Sequence, residues 1–67
     1  MVWLMIYLNS SAILAADYDP WSMVMTIQFT SGGAYDFHGV PPSIFQGLIN
    51  ASSPGTYYNQ HIRGRYH

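Results

Sequence analysis

Met23-Val24-Met25-Thr26-Ile27-Gln28-Phe29-Thr30, followed by Ser31-Gly32-Gly33 and Ala34-Tyr35-Asp36-Phe37-His38, is the stretch that decides the fold. Met23, Met25, Ile27 and Phe29 alternate with Val24, Thr26, Gln28 and Thr30, the period of two that belongs to a strand with one covered face. Ser31-Gly32-Gly33 supplies a tight hairpin. The return strand puts Tyr35 and Phe37 on one face and Asp36 and His38 on the other. Two antiparallel strands are thereby fixed.

Working upstream, Ile13 to Asp19 reads as a further strand, with Ile13, Ala15 and Asp17 on one face and Leu14, Ala16 and Tyr18 on the other. Asp19-Pro20-Trp21-Ser22 is its turn, Pro20 presetting the backbone at the second position. The apolar run Met1 to Leu8 imitates a secretory signal, but it has no basic leader and is too short to span a bilayer. It reads as a buried strand or as a segment docking on a second subunit. Downstream, Gly39-Val40-Pro41-Pro42-Ser43 closes the sheet and opens a helix whose Ile44, Phe45, Leu48 and Ile49 form one apolar stripe. That helix is expected on the aromatic face of the sheet. Ser52-Ser53-Pro54-Gly55-Thr56 breaks it and starts a second, short helix running to about Ile62, with Gly64 as its stop. The expected fold is α+β, one domain over residues 1–67: an antiparallel three- to four-stranded β-meander, a packed helix and a short C-terminal helix.

Composition narrows the function. A chain of 67 residues buries only about 60% of its unfolded surface, so its core is small. It has no cysteine, which removes disulfides and thiolate metal sites. No cofactor and no metal site are expected. Charged residues make up 7% and apolar residues 49% of the chain, against about 25% charged in ordinary soluble domains. So much uncharged surface predicts a homo-oligomer in which another copy covers part of it. With a formal charge of −1 and two arginines, the chain is poorly equipped to follow a long phosphate backbone. A small anionic ligand fits better.

The tail Ser52 to His67 carries both arginines, two of the three histidines and three of the six tyrosines. Arg63 and Arg65 are candidate phosphate ligands. Ser53, Gly55 and Thr56, at the start of the second helix, offer backbone donors to an anion. These two groups lie at opposite ends of one helix, so they serve one site only if the chain folds back or a second subunit completes it. The bland reading of Arg63 is a structural bridge to Asp17, Asp19 or Asp36. Tyr57 and His61 share a helix face turned away from Tyr58 and Ile62, and are candidates to stack on a base. Asn59 is placed to read a base edge. Secondary candidates are Tyr35, Asp36, His38 and Tyr66, with Phe37 and Trp21 as further rings. Asp36 and His38 share a strand face and suggest a general base, but no nucleophile stands in a recognisable motif, and the chain reads as non-catalytic.

Ser11, Ile13, Tyr18-Asp19, Phe29, Gly33, Tyr35-Asp36-Phe37, Val40-Pro41, Phe45, Leu48 and Ala51, followed by Ser53-Pro54-Gly55-Thr56-Tyr57-Tyr58-Asn59-Gln60-His61-Ile62-Arg63, form a series that resembles the KTSC domain. That family takes its name from the C-terminus of some lysyl-tRNA synthetases, and it also occurs as small free-standing bacterial and phage proteins. The family's Tyr-x-Tyr motif stands here as Tyr35-Asp36-Phe37, one hydroxyl short. Met1 to Leu8 is longer than the family pattern, which suggests an added oligomer contact. No Pro-Tyr-Arg ending follows Tyr66, which removes a basic contribution to RNA binding. The synthetase relatives imply an RNA- or tRNA-binding accessory role. By analogy with small oligomeric phage proteins that sequester nucleotide-derived immune signals, the favoured expectation is a nucleotide-type ligand. Such a protein would work in the cytoplasm, the host's if phage-encoded, and away from membranes. A structural protein-interaction domain is the third expectation.

Overall fold

A computed structural model describes residues 4–66. Four strands come first: β1 (Leu4–Tyr7), β2 (Ile13–Asp19), β3 (Val24–Phe29) and β4 (Ala34–Phe37). Two helices follow, α1 (Pro42–Asn50) and α2 (Pro54–His61). Every strand pairs antiparallel with its neighbour in sequence, giving the sheet order β1-β2-β3-β4. The α+β meander read from the sequence is the fold of the protein. Part of the apolar opening is edge strand β1, paired from Leu4↔Tyr18 to Tyr7↔Ala15. The rest of that run, Met1 to Trp3, lies outside the described residues.

One face of the sheet makes the core. Ile13, Ala16, Tyr18, Met25, Ile27 and Phe37 meet Val40, Phe45, Leu48 and Ile62 there. Helix α1 is seated by Phe45, whose ring stacks on Tyr18 at 5.0 Å between centroids. The Tyr18 hydroxyl donates to the Val40 carbonyl at 2.6 Å, so a buried carbonyl outside regular structure is satisfied by a core side chain. Helix α2 closes the other half. Its Tyr58 ring meets Phe29 and Phe37 edge-on at 5.2 and 5.9 Å, and Ile62 is fully buried just past its end.

Two details depart from strict alternation. Ile13 pairs with Phe29 but Ala15 pairs with Gln28, so Leu14 is the extra residue of a β-bulge. The bulge brings Ile13 onto the same core as Ala16 and Tyr18, where alternation had placed it opposite them. Met23, expected as the first inward residue of β3, lies instead in the turn with a φ of 58°. Its N–H donates to the Asp19 carbonyl at 2.8 Å and its carbonyl accepts from Val40 N–H at 2.9 Å. Two backbone bonds hold it in a region side chains rarely adopt.

The turn after Asp19 forms where it was read but takes in Met23 as well. Asp19 is buried, and its carboxylate accepts from Trp21 N–H and from the Ser22 hydroxyl, each at 3.0 Å. Among the described residues no helix is long and apolar enough to cross a membrane.

Candidate functional site at the helix junction

Helix α1 ends at Asn50 and α2 begins at Pro54, with Ala51, Ser52 and Ser53 between them. Pro54 at the first helical position fixes the entry, and the Tyr57 N–H donates to the Ser53 carbonyl at 3.0 Å. Ser53 stands at the cap position, but its hydroxyl bonds the Thr56 hydroxyl at 2.9 Å and caps no backbone N–H. An open depression of about 240 Å³ results, lined by Ala51, Ser52, Ser53, Thr56, Tyr57 and Gln60.

Tyr57 is the wall of this depression and is held from two sides. A Cβ built on Gly47 of α1 would stand 2.1 Å from the Tyr57 hydroxyl oxygen, so only glycine at that position lets the ring lie against α1. The His61 ring tilts against Tyr57 at 4.4 Å between centroids. The helical spacing of these two residues had put them on one face, and the structure does so. Gln60, missed in the sequence, stands three residues after Tyr57 and four after Thr56, and that spacing was the signal available for it.

The other candidates are dispersed. Gly55 backs onto the β1–β2 connection, where an added Cβ would come 3.2 Å from that of Ala12. Close packing accounts for that glycine. Arg63 and Arg65 are exposed beyond the C-terminal end of α2. Arg63 reaches back along its own helix to the Asn59 side chain, donating over a long 3.4 Å, and forms no bridge to an aspartate. Asp36 accepts from the Thr26 hydroxyl at 2.7 Å on the outer face of the sheet, while exposed His38 lies one residue past β4.

The rings do not form one wall. Phe37 is core, Tyr35 is 60% exposed with its ring on Phe29 at 5.7 Å, and Tyr66 packs partly buried against the core. Trp21 stands at the far tip of the β2–β3 turn.

Among the described residues, a buried polar atom without a partner lies outside the junction. Asp17 faces Thr26 across the sheet, and its Oδ1 is buried without a hydrogen-bond partner. Loss of water around it raises the Asp17 carboxyl above its usual value of 3.8. Burial, and then the neighbouring Asp19 charge, likewise raise the Tyr18 phenol.

Known proteins resemble this chain in sequence and, in one solved structure, in fold. A KTSC domain protein of Yersinia pestis superposes with a TM-score of 0.93 at 32% identity, covering 98% of this chain and 93% of its own. A protein of Tsukamurella paurometabola is 40% identical over 58 residues, 87% of each chain. A lysine–tRNA ligase of Nostoc punctiforme is 38% identical over 58 residues, which is 87% of this chain but 10% of the ligase. The model of the KTSC domain matches residues 9–66, and with these relatives beside it the chain belongs to the KTSC domain family.

Proposed function

We propose that this chain is a non-catalytic binding protein whose copies together hold a nucleotide-type ligand at the α1–α2 junction. The observation that carries the reading is the depression that gathers Ser53, Thr56 and Tyr57, with His61 against Tyr57. The Tyr57–His61 pair offers flat surface to a base, and the hydroxyls and the Gln60 amide offer donors to sugar or phosphate. At about 240 Å³ the depression falls below the roughly 300 Å³ at which ligand clefts begin. It is half a site. Neither arginine lines the depression of its own chain, and Arg63 is turned onto Asn59 of its own helix. The arginines of a second copy complete the site in this reading, and that is why it requires an oligomer.

The test is native mass spectrometry of the protein taken directly from cells, then with cyclic dinucleotides, ADP-ribose derivatives and a short RNA. An oligomer that retains a nucleotide-sized mass, and loses it in Arg63→Ala, supports the reading. Undiminished ligand affinity in Arg63→Ala refutes it. A second reading, an RNA-binding accessory module, is favoured by the Nostoc punctiforme lysine–tRNA ligase that carries a similar segment. It predicts a mass shift with RNA alone and an affinity that falls with salt, gently because one copy brings only two arginines.

A further inference from the structure

The two ends of strand β3 carry features of matching character. At one end is Trp21, 79% exposed, the most exposed of the large apolar side chains among the described residues. It is not loosely held. Its own N–H is bonded to Asp19, Ser22 bonds the same carboxylate, and the next residue, Met23, is tied by two backbone bonds. A fixed backbone under an exposed indole leaves little conformational entropy to lose on binding, the condition under which tryptophan serves as an interface anchor. The carboxylate beside it is buried and occupied by the turn, so the tip exposes no charged side chain.

At the other end is an open depression of about 440 Å³, lined by Leu14, Phe29, Gly33 and Ala34 with Gln28 and Thr30 as its polar members. None of its lining residues is charged. The Leu14 bulge borders it, with the extra leucine 47% exposed in the lining. The Thr30 hydroxyl is already bonded to the Ser11 carbonyl at 2.6 Å, so the surface asks for an apolar occupant. Six residues of β3 place the tip and the depression about 20 Å apart. Trp21 cannot reach the depression of its own chain.

We propose that copies of this chain associate head to tail, with the Trp21 tip of one copy seated in the Leu14–Ala34 depression of the next. An uncharged, preorganised aromatic knob and an uncharged hollow occur on one molecule, in a chain with 7% charged residues. Because knob and hollow are different surfaces, the contact is heterologous: it closes into a ring or continues as a fibre, and it does not stop at a symmetric dimer. This gives the self-association invoked above a geometry. It is tested without any ligand, and the two readings fail apart: variants that assemble like wild type overturn this contact alone, whereas a monomeric wild type also removes the oligomer that the nucleotide reading needs.

The experiment is sedimentation velocity on the full chain, wild type, Trp21→Ala and Leu14→Glu, each checked for an intact fold by circular dichroism. Wild type is expected to form species above the dimer. Each variant is expected to self-associate at least about thirtyfold more weakly, the loss typical of an anchor residue. Mixing the two variants is decisive. Trp21→Ala keeps its hollow and Leu14→Glu keeps its knob, so the mixture regains one good contact and yields a one-to-one dimer that neither forms alone. In a Trp3→Phe background, Trp21 emission shifts to the blue as concentration rises. A wild type that stays monomeric, variants that assemble like wild type, or a mixture that yields no dimer each overturn the proposal.

Discussion

Gly47→Ala isolates the contact that orients the candidate site. The added Cβ would lie 2.1 Å from the Tyr57 hydroxyl oxygen, 2.5 Å from Cζ and 2.8 Å from Cε2. Non-bonded carbons settle near 3.5 Å or more, so the ring must withdraw by more than about 1 Å. It is hemmed on its other side by His61. Overpacking of this kind costs about 1–3 kcal/mol. Against it, alanine improves on glycine inside a helix by about 1 kcal/mol. The single variant should lose between about 0 and 2 kcal/mol. In a Tyr57→Ala background the clash is gone, and the same substitution should gain about 1 kcal/mol. The predicted coupling is therefore about 1–3 kcal/mol. Urea unfolding of the four proteins of this cycle measures it through midpoints at constant slope. If Gly47→Ala stabilises both backgrounds equally, Tyr57 does not lie against α1, and the wall of the depression is misplaced.

Two further outcomes rest on buried polar groups. Asp17 has a folded-state pKa raised by burial, so its contribution to stability is fully present below the usual 3.8 and is lost as pH rises through the folded value. Asp17→Asn removes this dependence: it should be more stable than wild type at neutral pH, with the advantage vanishing in acid, as thermal melts across pH will read. Tyr18→Phe deletes the donor to the buried Val40 carbonyl and should lower unfolding free energy by about 1–3 kcal/mol in denaturant titrations, the range for an orphaned buried acceptor.

The order and type of the elements were legible because period two in β3 and the Ile44–Ile49 stripe at helical spacing are local properties. What escaped is set by contacts between elements. Nothing local marks Leu14 as the extra residue: the bulge exists because Ile13 and Ala16 must share a core that regular alternation denies them. Met23 takes a positive φ because the turn and Val40 bind its backbone, a demand its side chain does not announce. Tyr35 and Phe37 share a face, yet only Phe37 is covered, since α2 brings Tyr58 over it. In the site, the Tyr57–His61 pair follows from helical spacing. Gly47 could not be foreseen, because its partner sits ten positions away on another helix. That Arg63 turns to Asn59 was equally hidden, since an arginine with three aspartates in the chain gives no sign which acceptor is near.

The meander has a kinetic consequence. Each strand finds its partner through the adjoining hairpin, so the sheet assembles from short loops, which close fast. Helix α2 must instead return across the chain to lay Tyr58 on Phe29 and Ile62 into the core. Its docking is expected late in folding, so damage to α2 should speed unfolding far more than it slows folding. The candidate site is built on that same late helix. A ligand bound there would act as a brake on its departure, lengthening the lifetime of the folded protein as well as filling the depression.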